Sequence, residues 1–266
     1  MENKHCLNCN KILTDKYCSG CGQKADTHRI TLRNFISHDV LHGIFHIEKG
    51  MLFTAKEALL RPGKAALDYI SGKRKPYYNV FLLILLIIGL LLFLKHYYTG
   101  ALIEQGRLEA KDVLDLNEVS RRIDDIFSNQ SKIVVLLFVP LAALNSFLLF
   151  RRKKLNLSEH VIIAGMILLG ISLLYGLGMG IFVFDLFIDF NNTFKFVLGN
   201  VLAVLIFTYV CYGYVNAFGA NYTKLGISYR VLLFFILLFI EITLIFLVVF
   251  GYVTQWEFGE VSLSPF

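Results

Sequence analysis

A chain of 266 residues that is 56% hydrophobic, with 24 Phe, 13 Tyr and a mean hydropathy of +0.61, is greasier than a soluble core of that length requires. Its four prolines leave long helices permitted almost everywhere, and its formal charge of +6 sits mostly in short stretches between apolar runs. The composition excludes an ordinary soluble domain and specifies an all-α polytopic membrane protein with a polar N-terminal part, residues 1–76.

The first element is CLNCNKILTDKYCSGCGQK, residues 6–24. It holds two C-x-x-C pairs, Cys6/Cys9 and Cys18/Cys21, and each pair can wrap one tight turn around a metal ion. Such a turn needs positive φ next to its second cysteine. Asn10 and Gly22 stand there, the residue types that tolerate it best. Residues 1–28 therefore predict a small zinc ribbon. Its structural zinc would be held by the thiolates of Cys6, Cys9, Cys18 and Cys21, with no position left for water or substrate. The polar N-terminus shows no short apolar run before a small-residue cleavage site, so this part is expected in the reducing cytosol, where paired cysteines favour metal over disulfide. Nucleic acid is not an expected partner. Residues 1–30 carry Lys4, Lys11, Lys16, Lys24 and Arg29 against Glu2, Asp15 and Asp26, and a four-thiolate zinc adds two negative charges. Cys211 lies in an apolar run and reads as an inert small hydrophobe.

Residues 29–76 read as a basic juxtamembrane segment of amphipathic helices lying against the bilayer. Thr31 can cap a first helix with apolar positions Leu32, Phe35, Ile36, Val40, Ile44 and Ile47. A second covers about 50–60. A third begins with Pro62 in its first turn and ends near Gly72. Arg61, Lys64, Lys73, Arg74 and Lys75 form a basic motif expected to attract anionic headgroups, at about 1 kcal/mol for each cation near the surface. His38, His42 and His46 recur at i, i+4, i+8 and could sense pH or hold a second metal. The outer two would stand about 12 Å apart on a helix, too far to share one ion. Histidines that merely flank an interfacial helix are the plainer reading.

Three patterns have now appeared in order: C-x-x-C…Y-C-x-x-C-G-Q-K, R-P-G-K (Arg61, Pro62, Gly63, Lys64) and Y-I-x-G-K-R-x-x-Y (Tyr69, Ile70, Gly72, Lys73, Arg74, Tyr77). Together they resemble an uncharacterised family of bacterial membrane proteins, common in Bacteroidota and known as a domain of unknown function. The resemblance spans roughly the first 80 residues and implies a bacterial inner membrane without implying an activity. The family has a proline near position 80; this chain has Pro76 instead.

A membrane-crossing helix takes about 20 mostly apolar residues. Five stretches qualify, 77–98, 131–150, 160–184, 194–217 and 230–252, making a transmembrane domain over 77–252. Lys73, Arg74 and Lys75 precede the first; Arg151, Arg152, Lys153 and Lys154 join the second to the third; Lys224 and Arg230 join the fourth to the fifth. All fall on one side. Loop 99–130, Asp185, Asp189 and the tail 253–266 with Glu257 and Glu260 fall on the other. That asymmetry puts the N-terminus in the cytoplasm and the C-terminus outside. Within loop 99–130, Leu108, Val113, Leu116, Val119, Ile123 and Phe127 follow helical spacing and suggest a structured connector.

Glu241 interrupts the fifth span, where a charge costs roughly 2.5–3.5 kcal/mol on insertion scales. Depth counted from the span ends sets Ser172, Thr208 and Tyr209 at its level, which predicts an intramembrane polar cluster of these four. Such a cluster reads as helix–helix glue, or as a proton or cation relay. The third span carries Gly165, Gly170, Gly176, Gly178 and Gly180, read as close packing rather than a hinge. No Ser-His-Asp, Cys-His or zincin arrangement is evident, and His96 and His160, near the span ends, have no obvious nucleophile beside them. No catalytic residue is therefore assigned. The expected function is non-enzymatic: recruiting or organising a protein partner at the cytosolic face, with a homo-oligomer allowed. The alternatives are a small transporter or channel using Glu241, and a metal or redox sensor.

Overall fold

A computed structural model of the chain describes residues 5–25, 27, 30, 50–107 and 131–253. The readings made for His38, His42 and His46, for the pattern of 108–130 and for the tail beyond Val253 lie outside the described residues.

Behind the cysteine region stand seven α-helices among the described residues: α1 (Gly50–Leu60), α2 (Pro62–Ile70), α3 (Val80–Glu104), α4 (Ser131–Leu149), α5 (Leu157–Ile188), α6 (Asn192–Phe218) and α7 (Lys224–Val253). Three of the long ones start at asparagine caps. Asn79 accepts from the Phe81 and Leu82 amides, Asn191 from that of Phe194, and Asn156 forms a reciprocal capping box with Glu159. α3, α5, α6 with the turn that follows it, and α7 are long and apolar enough to cross a membrane. The remaining predicted span, 131–150, corresponds to α4, 19 residues with Pro140 inside, whose described apolar part is Leu137–Leu149.

α5 is the central post. Ile162, Ile163, Met166, Ile167 and Leu169 are fully buried, and α1, α2, α3, α4 and α6 all pack on it. Its glycines receive side chains: Phe81 lies over Gly165, Tyr209 over Gly170 and Leu202 over Gly178. The helix runs unbroken through Gly176–Gly180. α7 rests on α4 and α6 along the stripe Ile227, Val231, Phe234 and Leu238, whose spacing continues to Glu241.

α1 and α2, read from the sequence as amphipathic helices at the bilayer, form a helical hairpin that packs onto α5 and α6. The reason is a face of small residues: Ala58, Ala65 and Ala66 are completely buried. A Cβ on Gly63 would stand 2.4 Å from both the Ala217 nitrogen and the Gly213 carbonyl oxygen of α6. Only a glycine lets the two backbones approach so closely.

Bringing the hairpin turn inside the bundle creates a hydrogen-bond problem, which α6 solves. The Ala58 carbonyl would ordinarily accept from the amide of residue 62, but Pro62 has none. The Tyr209 hydroxyl donates to it instead. The Lys64 amide turns away to Asn216 Oδ1 (2.8 Å), and the Leu60 carbonyl is taken by the Tyr212 hydroxyl (2.8 Å). Tyr209, Tyr212 and Asn216 recur at three- and four-residue spacing, one face of α6.

At the opposite end of the bundle, the buried Asp185 of α5 ties three neighbours together. Tyr98 donates to it at 2.8 Å, Arg107 at 3.0 Å and Lys195 at 2.9 Å, while the Phe190 amide donates at 2.7 Å. Arg107 also pairs with the exposed Asp189, so two cations face two carboxylates.

Candidate metal centre and intramembrane polar groups

The cysteine region is built from two copies of one turn. In the first, the Asn10 amide donates to the Cys6 carbonyl and the Cys6 amide to that of Lys11; in the second, Gly22 donates to Cys18 and Cys18 to Gln23, all at 2.8 Å. Asn10 (φ 60°) and Gly22 (φ 71°) adopt the left-handed conformation their positions call for. Backbone bridges His5–Ile12 and Tyr17–Lys24 close each turn at its base.

These turns aim four sulfurs at one point. Cys6 Sγ lies 3.6 Å from Cys21 Sγ, Cys9 Sγ lies 3.4 Å from Cys18 Sγ, and all four fall within 4.8 Å of one another. A tetrahedral zinc with bonds of about 2.3 Å sets its sulfurs about 3.8 Å apart, so the donor set and its spacing fit that ion. Two of the thiols are biased toward thiolate: amides of Gly20 and Cys21 pull Cys18 down, and Cys21 is lowered to about 6, chiefly through a hydrogen bond from Asn8. Cys9, although the Lys11 amide lowers it, is raised to about 12 by the neighbouring sulfurs and burial.

The cysteine unit is not tethered loosely. Gln23, only 5% exposed, reaches the loop between α2 and α3 with its amide, donating to the Gly72 carbonyl (2.8 Å) and accepting from the amides of Arg74 and Lys75 (3.2 Å each). Leu7, inside the first turn, lies on Gly72 so tightly that a Cβ there would stand 2.5 Å from its methyl. Gly72 has φ +105°, a second reason for glycine. Further along, the buried Ile30 offers its carbonyl to Asn156 at the start of α5 (3.0 Å). Thus C-G-Q-K and G-K-R-K, 49 residues apart from Gln23 to Gly72, form one contact. The sequence displays both patterns but not their meeting.

The basic motif is largely engaged within the protein. Arg61 pairs with Glu57 and, at 3.3 Å, with Asp68; Lys73 pairs with Asp68 at 2.9 Å. Arg74 lies 5.6 Å over the Tyr69 ring, and Lys64, Lys73 and Lys75 are exposed. Tyr77, beside these charges, is pushed up to about 12 by burial and by the carboxylates of Asp68 and Glu57.

The predicted polar cluster around Glu241 does not form. Ser172 bonds to the Leu168 carbonyl and Thr208 to that of Val204, each one turn back on its own helix, while Tyr209 caps the hairpin turn. Glu241 accepts instead from Asn145 Nδ2 of α4 at 2.8 Å. Depth counting missed Asn145 because it stands near the end of its predicted span and Glu241 midway along its own. Side-chain reach and the relative placement of the two helices close that gap. The signal available was the polar pair Asn145-Ser146 inside an apolar run. The neighbouring Ser146 hydroxyl lies 2.8 Å from His160 Nδ1, so that histidine does have a nucleophile-type neighbour; both side chains are buried, and the contact ties α4 to α5.

Residues 48–92, which cover the hairpin, the loop that Gln23 clasps and the first half of α3, match the family described as "Protein of unknown function (DUF3667)". No curated protein and no solved structure matches the chain.

Proposed function

We propose that this chain is a non-enzymatic protein of a bacterial inner membrane that crosses it five times, α4 included, with its N-terminus in the cytoplasm and its C-terminus outside. Its zinc ribbon recruits a protein partner at the cytosolic face. One observation carries this reading: the four-cysteine unit uses Leu7 and Gln23 to hold the bundle while Ile12 and Tyr17 stay 63% and 61% exposed. A four-thiolate zinc has no open position for substrate, which favours a shaping role over a catalytic one. The placement of Lys73, Arg74 and Lys75 before α3, and of Arg151–Lys154 between α4 and α5, supports the orientation. Exposed Lys64 and Lys75 are the cations left for anionic headgroups.

The test is a mild-detergent pull-down of tagged protein. Partners held by the wild type should be lost both from Cys18→Ser/Cys21→Ser and from Ile12→Asp/Tyr17→Asp, the second of which keeps its zinc. An unchanged partner list in both sinks the reading. The half-buried Glu241 with its single amide partner Asn145 favours a second reading, a small transporter. That reading predicts solute or ion flux in liposomes that Glu241→Gln abolishes.

A further inference from the structure

The metal site lies at one end of a continuous series of contacts, and the series leads into the membrane bundle. Gln23 follows the ligand Cys21 by two residues, and its carbonyl accepts from the amide of a second ligand, Cys18, so metal geometry fixes where its side chain starts. That side chain satisfies three backbone groups of the loop 72–75 at once. The loop then runs into Pro76 and Tyr77, whose backbone stands 3.1–3.5 Å from where a Cβ on Gly50 would project. Next, the Tyr78 amide donates to Thr54 Oγ1 (2.8 Å), which itself donates to the Gly50 carbonyl (2.8 Å). The Tyr77 ring packs edge-on against Phe53 of α1 and Tyr69 of α2. One loop therefore binds the cysteine unit on one side and both hairpin helices on the other, immediately before α3 begins.

A unit of about 25 residues with few buried side chains has no core to stand without its ion. Losing the metal withdraws Gln23 and Leu7 together. The Gly72 carbonyl and the Arg74 amide then keep only their bond to each other (3.0 Å), the Lys75 amide is left to water, and the loop loses the contacts that hold it down.

We propose that the metal-held unit is a latch, with Gln23 as the positioning residue through which metal loading holds the loop 72–76 onto the α1–α2 hairpin and the start of α3. The proposal rests on metal binding by the four thiolates, and it is independent of any partner at the outer face.

The loop carries its own reporter, since Lys73 and Arg74 are trypsin sites and proteolysis follows the population of the opened state. Full-length protein in mild detergent is digested briefly with trypsin, and the new N-termini at Arg74 and Lys75 are quantified by mass spectrometry, with zinc per chain measured on the same samples. Zinc-loaded wild type should be cut slowly there. Gln23→Ala, still holding one zinc, should be cut about tenfold faster, as expected from losing three backbone hydrogen bonds. Chelated wild type should be cut at least as fast, and returning zinc should restore protection to the wild type alone. Gly72→Ala drives its Cβ from the bundle side into Leu7, which belongs to the first turn but is not a ligand. It should behave like Gln23→Ala and serves as the test if Gln23→Ala loses its metal. Zinc-loaded variants as resistant as wild type would overturn the latch, as would a chelated wild type that stays protected. A purified wild type that binds no zinc would instead remove the metal reading beneath it.

Discussion

Replacing Tyr209 with Phe tests the account of the hairpin turn most directly. Tyr209 is 8% exposed and its ring lies over Gly170, so the substitution keeps the packing and deletes only the hydroxyl. That hydroxyl serves the carbonyl of Ala58, a fully buried residue whose helical partner would have been Pro62. No amide stands ready to replace it. An orphaned buried carbonyl costs about 1–3 kcal/mol in soluble proteins, whereas side-chain hydrogen bonds between membrane helices average about 0.6 and reach about 1.7. With the alternative donor removed by proline, the expected loss is about 1–2 kcal/mol. The measurement is reversible unfolding in mixed micelles, followed by circular dichroism with zinc held saturating. Thr208→Val, whose hydroxyl bonds only to its own helix, should change stability by less than about 0.5 kcal/mol. Because Tyr209 and Glu241 have separate partners, Tyr209→Phe and Glu241→Gln should add within about 0.5 kcal/mol. A negligible loss for Tyr209→Phe, or a coupling above about 1 kcal/mol, would refute the reasoning and restore the cluster counted from span depths.

Two further outcomes follow from the same contacts. Gly63→Ala places a methyl against the α6 backbone, where nothing flexible can yield, and should destabilise the hairpin by about 2–3 kcal/mol in the same unfolding assay. Asp185→Ala strands Lys195 and leaves Arg107 with Asp189 and the backbone carbonyl of residue 185; the two cations keep 27% and 22% side-chain exposure. The loss should be about 3 kcal/mol, the lower end for a broken buried pair, while removing the exposed carboxylate of Asp189 should cost under about 1 kcal/mol.

How much of this was legible before the coordinates depends on how far apart the interacting residues lie. Asn10 and Gly22 revealed the metal turns because a C-x-x-C knuckle is closed within a few residues, and the demand for positive φ is local. Pro62 and Gly72 marked the ends of α2 for the same reason. Asn145 stayed hidden because nothing within its own helix distinguishes a glue residue from a stray amide, and its partner lies 96 positions away. A linear charge count also leaves out pairing: Arg61 and Lys73, which keep 41% and 50% side-chain exposure, have Glu57 and Asp68 against them.

The sequence alone therefore determined the long apolar helices and the four cysteines placed to converge on one point, since each depends on side-chain chemistry and spacing within a turn or a span. Tertiary structure decided where the polar groups of those helices go: Tyr209 to the Ala58 carbonyl, Asn145 to Glu241, Gln23 to the loop at Gly72. Hydropathy is nearly unchanged when a helix turns about its axis or slides along a neighbour, whereas a hydrogen bond survives only small displacements of either kind. The pairing of donors with acceptors could be fixed only once every helix had its rotation and height.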